Sequence, residues 1–283
     1  MAPDVGDDLL STLAEHARWI RRESLRMIHA AGSGHPGGSL SAADVIAALF
    51  FHEMRYRADD PRWPDRDRFV LSKGHGVPAL YAALARAGFF DVDMLSTLRR
   101  LNSPLQGHPS VKDLPAVEAS TGSLGQGLSI AAGMAMAGKL DGKDYRVYCL
   151  LGDGEIQEGQ VWEAALSAPR WRLDNLTAII DYNKFQLDDA IDAILPLEPL
   201  ADKWKACGWH VEELDGHDMA AIVAALQRAK EAKGKPQVLI AHTVKGKGVS
   251  FMEHNNQFHG RAPSDEELAR ALAELEGDVG ETR

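Results

Sequence analysis

Cysteine is almost missing from this sequence: Cys149 and Cys207 are the only two in 283 residues. They lie far apart, in apolar surroundings and without metal-ligand spacing, which argues against a disulfide framework or a thiolate metal site and leaves reduced structural thiols. Positive charge is scarce too. The 31 Lys and Arg are outnumbered by 41 Asp and Glu, a formal net charge of −10, so there is no basic surplus to neutralise a phosphate backbone and no nucleic-acid partner is expected. No segment offers the roughly 18 uninterrupted apolar residues of a membrane span. The amino terminus carries Asp4, Asp7 and Asp8, not a basic stretch followed by an apolar run, so it does not read as a signal peptide. A cytoplasmic protein is expected. Internal repeats, low-complexity tracts and long linkers are lacking as well.

What is present has the balance of an ordinary globular protein, with 45% apolar and 25% charged residues. Leu9, Leu10, Leu13, Ala17, Ile20 and Met27 recur at helical spacing, which predicts a long first helix to about Ala31, stopped by Gly32 to Gly38. Ser41 and Asp44 resemble a capping pair before a second helix through Val45, Ile46, Leu49 and Phe50. Pro61 and Pro64 mark a surface loop. Beyond it, apolar runs at 69–71, 147–151, 176–181, 209–214 and 237–241 read as strands, and 77–87, 161–168, 200–206, 219–230 and 265–274 as helices. Continuous apolar strands separated by helices specify an α/β, doubly wound, mostly parallel sheet flanked by helices on both faces. A single domain over 9–275 is expected, with flexible termini at 1–8 and 276–283.

A Gly-x-Gly-x-x-Gly string occurs at Gly32, Gly34 and Gly37, but it follows a helix and contains Pro36. A dinucleotide fingerprint must follow a strand and open a helix, so this one fails on context. Gly152-Asp153-Gly154 stands directly after a buried strand, where open α/β sheets bind their ligands. A carboxylate there can hold a cation beside an anionic ligand, although the tripeptide is equally good turn chemistry. Asn183 follows thirty positions on (183 − 153), at the end of the next strand. Two parallel strands joined by one crossover would bring both residues to one sheet edge. Mg²⁺ takes six oxygens, usually one or two from carboxylates with phosphates and water supplying others. Asp153, the Asn183 amide oxygen, a backbone carbonyl and two diphosphate oxygens would nearly complete that shell; a strand-ending turn is the plain alternative for Asn183.

Gly-Asp-Gly followed about thirty residues later by Asn resembles the hallmark of thiamine diphosphate enzymes, and the surrounding sequence resembles transketolases in particular. The likeness runs from about residue 18 to residue 262, through Ser33-Gly34-His35-Pro36-Gly37-Gly38, Leu71-Ser72-Lys73-Gly74-His75, Gln106-Gly107-His108-Pro109, Thr121-Gly122-Ser123-Leu124-Gly125-Gln126-Gly127, Gly152 to Gly159, and Phe258-His259-Gly260. The resemblance implies a thiamine diphosphate-binding fold in which Asp153, Asn183 and the carbonyl of Phe185 bind Mg²⁺, with Ca²⁺ or Mn²⁺ able to replace it. It implies that Gly154, His75 and His259 contact the diphosphate and that Gly122, Ser123 and Leu124 lie against the cofactor. His35, His108 and His259 would line the substrate channel, where imidazole can exchange hydrogen bonds and protons with sugar hydroxyls near neutral pH. His16, His29, His52, His210 and His217 read as surface or packing residues. Glu158 matches a glutamate beside the metal loop that meets its counterpart across a dimer interface in relatives; the plain alternative is an acid at a helix start. Lys245-Gly246-Lys247-Gly248 lacks the spacing of a phosphate-binding Walker loop and reads as a mobile loop closing over the site. Tyr182, Phe185 and Asp188-Asp189 depart from the pattern of many relatives and leave the specificity of that wall open.

The implied reaction is transfer of a two-carbon ketol unit from a ketose (phosphate) donor to an aldose acceptor, with ping-pong kinetics. In the family a glutamate on a second, pyrimidine-binding domain activates the cofactor, and the present sequence resembles only the part that precedes it. The expected partner is therefore a separate C-terminal subunit carrying that domain, in a heterotetramer of two chains of each type, with small sugars as substrates. The alternatives are a related carboligase subunit that acts on a modified sugar in a specialised pathway, and a non-catalytic cofactor-binding scaffold.

Overall fold

Val147, Cys149 and Leu151 face one way along their strand, Tyr148 and Leu150 face the other, and all five are buried. A strand with no solvent face must lie inside a sheet covered on both sides. The structure, a computed structural model, describes residues 6–277. Among the described residues the helices are α1 (Asp7–Ala31), α2 (Pro36–Ser41), α3 (Ala43–Ala48), α4 (Val77–Arg86), α5 (Gly127–Leu140), α6 (Gly159–Arg170), α7 (Ile191–Ile194), α8 (Leu200–Ala206), α9 (Met219–Glu231) and α10 (Asp265–Gly277). The strands are β1 (Arg68–Leu71), β2 (Val147–Gly152), β3 (Leu176–Tyr182), β4 (His210–Asp215) and β5 (Gln237–His242). They form one sheet in the order β1-β2-β3-β5-β4, and every pairing is parallel. Residues of α1, α3, α4 and α9 pack on the face bearing Tyr148, Leu150 and Leu239, while α5, α6 and α8 cover the face bearing Cys149, Ile180 and Ile240. Each fully buried Leu or Ile in these layers contributes about 1.5–3 kcal/mol.

The strands and the later helices fall within one helical turn of their expected ends. Helix α1 stops where Gly32 adopts a left-handed φ of 63°, a conformation that costs glycine nothing. The chain then re-enters a helix earlier than expected, because Pro36 occupies the first turn of α2, where its fixed φ and missing N–H suit it. Ser41 is consequently no N-cap; its hydroxyl donates to Asp181 Oδ2 at 2.6 Å. Helix α5 escaped the sequence reading, since its run of Ala, Gly and Met lacks a polar face to mark a period. Asp7, Asp8, Glu276 and Gly277, expected in flexible tails, are helical; residues 1–5 and 278–283 lie outside the described residues.

A buried polar network joins the helical layer to the functional edge of the sheet. Arg21 of α1 donates to the Leu40 carbonyl at 3.1 Å and to Asp44 of α3 at 3.2 Å. Asp44 also meets His217 Nδ1 at 2.7 Å, and His217 Nε2 accepts the Val244 N–H at 2.8 Å. His217 is thus a packing residue that fixes the exit of β5. His16 likewise stacks on Phe51 at 3.8 Å, while His52 and His210 are exposed. Removing the carboxylate leaves Arg21 buried without a counter-charge. Asp44→Ala is therefore expected to cost about 3–5 kcal/mol, read as a lower urea midpoint; an unchanged midpoint would show that the network carries no stability.

Candidate functional site

The register pairs Gly152 of β2 with Asp181 of β3, so Asp153 and Asn183 leave adjacent strands at the same carboxyl edge. Asp153 Oδ1 accepts the Gly154 N–H at 2.8 Å, and Oδ2 accepts the N–H of Lys184, the residue after Asn183, at 2.5 Å. The Asn183 side chain accepts from the Phe185 N–H at 3.2 Å and donates to Asp181 at 3.3 Å. Both side chains are buried, and the expected convergence is present. Gly154 is required here: a Cβ would come within 2.7 Å of Gln186 Cβ. Burial, and then the charge of Asp181, push the Asp153 carboxyl up to about 7. An acid held there is destabilised as an anion until a cation arrives.

Beneath these two lies a buried ion pair that sequence reasoning missed. Asp181 takes hydrogen bonds from Lys73 Nζ, Thr243 Oγ1 and Ser41 Oγ, and Lys73 also donates to the Gly38 carbonyl at 2.8 Å. Burial alone would raise the Asp181 carboxyl, but Lys73 and these donors outweigh it and hold it below the usual range. Glu155, also missed, clasps the edge from the other side. It accepts from Ser72, from the Gly125 N–H at 3.0 Å and from the Gly152 N–H at 2.9 Å.

The edge opens into a cavity of about 490 Å³. His35, His75, His108, Gly122, Leu124, Asp153, Gly154, Glu158, Asn183, Phe185 and His259 all line it. Ser123 does not line it; it is an exposed residue of the turn between Gly122 and Leu124. Gly122, at φ +141°, lies so close to His108 that a Cβ would stand 2.8 Å from the ring. Glu158 sits exposed at the start of α6 with no side-chain hydrogen bond to the helix amides, a placement that a solvated acid favoured by the helix dipole also satisfies.

The four histidines converge. The His35 ring centroid lies 5.1 Å from that of His75, 5.7 Å from His259 and 6.5 Å from His108, and His75 stacks on His259 at 5.4 Å. Burial, followed by Arg99, pushes His35 down to about 4, and burial, followed by Lys245, pushes His259 down to about 3. His75 and His108 are lowered too, chiefly by burial. All four are thus held toward the neutral form; His35, His75 and His108 can each donate one hydrogen bond and accept another, whereas Nδ1 of His259 already accepts from Lys245 and leaves only a donor at Nε2. His35 Nδ1 is buried without a partner.

Lys245 was expected in a mobile closing loop, and the structure corrects this. Its side chain is 1% exposed, and Nζ donates to the Gln186 carbonyl at 3.0 Å, Asn256 Oδ1 at 2.6 Å and His259 Nδ1 at 2.8 Å. Gly246, at φ +82°, packs so tightly that a Cβ would stand 2.2 Å from the Met252 carbonyl oxygen. Lys245 bonds only neutral acceptors, and burial depresses its ammonium to about 8. A buried cation with no carboxylate among its hydrogen-bond partners, although Asp153 lies close enough to favour its charge, can receive an anion. Among the described residues no three His, Cys, Asp or Glu side chains are placed to hold a metal ion by themselves, so the chain offers only part of a divalent-metal shell. The donor set, one carboxylate, one amide oxygen and a nearby anion receptor, therefore fits a cation bound together with a diphosphate.

The family described as "Transketolase, thiamine diphosphate binding domain" matches residues 13–278. This chain belongs to the transketolase family. It is 48% identical over 264 residues to a protein named 6-deoxy-6-sulfo-D-fructose transketolase subunit SqwG from Clostridium sp. (strain MSTE9), covering 93% of this chain and 96% of that one. It is 42% identical to an apulose-4-phosphate transketolase subunit of Phocaeicola vulgatus, covering 94% of each. Against human transketolase the identity is 46%, over 89% of this chain but 40% of the longer protein. The solved transketolase of Leishmania mexicana superposes with a TM-score of 0.89 at 33% identity, over 93% of this chain and 41% of that one. The sheet and its flanking helices are accordingly the thiamine diphosphate-binding fold of transketolases.

Asp153 must lose its proton before it can ligate a metal. With its carboxyl near 7, an Asp153 that ligates a divalent ion would make the affinity for that ion with thiamine diphosphate fall as pH drops below about 7 and level off above about 8, approaching tenfold per pH unit at the acid end. Calorimetric titration from pH 6 to pH 8.5 measures it. Because the cofactor's own phosphate titrates nearby, the Asp153 contribution is the slope lost in Asp153→Asn; equal slopes in the two proteins would contradict the assignment.

Proposed function

We propose that this chain holds the Mg²⁺-bound diphosphate of thiamine diphosphate and works with a second, C-terminal-type subunit to transfer a two-carbon ketol unit from a ketose donor to an aldose acceptor. The observation that carries this reading is the meeting of Asp153 and Asn183 at one sheet edge, beside a buried ammonium hydrogen-bonded only to neutral acceptors. In this reading Asp153, the Asn183 amide oxygen and the Phe185 carbonyl hold the metal, for which Ca²⁺ or Mn²⁺ can stand in. Lys245, Gly154, His75 and His259 receive the diphosphate, and the 122–124 turn lies against the rest of the cofactor. When bound, thiamine diphosphate supplies the electron sink that cleavage of a ketose between C2 and C3 requires.

The chain's own contribution is positioning and proton management. His35 and His108, both neutral, accept a hydrogen bond from one sugar hydroxyl and donate to another, and either imidazole can take up the hydroxyl proton released as the carbon–carbon bond parts, while His259, whose Nδ1 already accepts from Lys245, donates from Nε2. The partner supplies the pyrimidine-facing wall and the glutamate that acts there. Two relatives carry "subunit" in their names and span about this chain's length, which supports the split arrangement; a heterotetramer of two chains of each type and residence in the cytoplasm complete the proposal. Among the described residues no helix is long and apolar enough to cross a membrane. Both relatives are named for sugars that end in an oxyanion, a sulfonate in one and a phosphate in the other, and this favours a modified sugar of that kind over an unsubstituted one.

The test is ketol transfer measured with the chain alone, with its partner chain, and with Asp153→Ala plus partner. Activity is expected only when both chains are present and is expected to drop at least about a hundredfold in the variant. Transfer by the isolated chain would overturn the shared site. Cofactor binding without transfer in the presence of the partner would favour a scaffold.

A further inference from the structure

Outside the cavity, one cation near the histidines has no role in the scheme above. Arg99 follows the helical turn Val92–Thr97 and has a φ of 60°, a left-handed backbone that a long side chain rarely adopts. Its N–H is tied to the Leu105 carbonyl at 2.9 Å. The guanidinium lies across Gly107, where a Cβ would stand 3.0 Å from Nε, and Nη1 donates to Ser33 Oγ at 3.2 Å. It therefore spans the two loops that carry His108 and His35, one residue beyond Gly107 and two beyond Ser33. Most structural arginines here are paired: Arg21 with Asp44, Arg66 with Glu118, Arg228 with Glu212. Arg99 has no carboxylate partner among the described residues.

The side chains around it form a graded path. Lys73 and Asp181 are fully buried, His75, His259 and His35 are half-buried, and His108 and Arg99 are exposed. A sugar whose reacting end lies among the inner histidines would extend outward past His108 toward a fixed guanidinium with most of its five donors unused. Arginine's planar fork matches phosphate and sulfonate oxygens. On a chain with a net charge of −10, an exposed cation beside the loops of His35 and His108 also gives an anionic ligand a local reason to approach.

We propose that Arg99 is a specificity-determining residue, which from this chain grips the oxyanion, phosphate or sulfonate, at the far end of the sugar. The inference deepens the ketol-transfer reading and rests on it. The same charge, second to burial, lowers His35 and His108, so the residue that selects the anionic end also helps keep the neighbouring imidazoles neutral.

The test uses the two-chain enzyme with cofactor, comparing wild type, Arg99→Gln, Arg99→Lys and, as a surface control, Arg100→Gln. Donors of three kinds are compared: phosphate-ended, sulfonate-ended and uncharged. Arg99→Gln is expected to raise KM for at least one anionic donor about tenfold to a hundredfold, the loss of one charge-assisted hydrogen bond, with the uncharged donor within about twofold. Arg99→Lys should recover part of the loss, and Arg100→Gln should match wild type. Whichever anionic donor suffers more identifies the oxyanion that Arg99 serves. Equal losses for charged and uncharged donors would show that Arg99 only props the histidine loops, and no loss would show that it does neither; both results overturn the proposal. Wild-type protein inactive with every donor, though loaded with cofactor, would instead overturn the ketol-transfer reading, and this inference with it.

Discussion

The architecture of the site depends on one buried ion pair, Lys73 with Asp181. Lys73 follows β1, Asp181 lies in β3, and the shared partners Ser41, Gly38 and Thr243 come from α2 and the end of β5. Four segments remote in sequence are thus drawn to one point beneath the cavity floor. Desolvating two charges is expensive unless the remaining hydrogen-bonding capacity is filled. Here the carboxylate accepts from Lys73, Ser41, Thr243 and the Asn183 amide. Because Asn183 is itself one of those donors, the orientation of a candidate metal ligand is set by the foundation under it.

Above that pair, charge is distributed so that a cation and an anion are wanted together. Asp153 is a buried acid hydrogen-bonded only to backbone N–H groups, and Lys245 is a buried ammonium bonded only to neutral acceptors. Each is costly alone in a medium of low polarity. A divalent metal carrying a diphosphate would relieve both at once, the metal satisfying Asp153 and the phosphate oxygens satisfying Lys245. The neutral His35 and His108 would then be left to serve uncharged hydroxyls.

The sheet was legible in the sequence because strands such as Val147–Gly152 and Leu176–Tyr182 are apolar throughout, and only strands covered on both faces can be so. Asp153, Asn183 and the four site histidines were legible through motif and resemblance, and the fold brings them into one cavity. Lys73, Asp181 and Glu155 were not, because their role is a matter of long-range pairing: Lys73 and Asp181 are separated by 108 positions, which no local pattern encodes. Lys73 stood inside a quoted motif, so a lysine beside an otherwise apolar strand end was the available signal. The Lys245 segment was misread for a related reason. Two glycines and two lysines look mobile in isolation, and only the contacts with Met252, Asn256 and His259 show that the segment is packed.

The central claim is that Asp153 and Asn183 grip one divalent ion that a diphosphate completes. Its most direct test is anomalous scattering from crystals of the protein grown with thiamine diphosphate and Mn²⁺ in place of Mg²⁺. The account predicts a single metal peak within about 2.2 Å of an oxygen of each side chain and of the diphosphate. A peak that touches only one of them, or that lies away from the diphosphate, would contradict it.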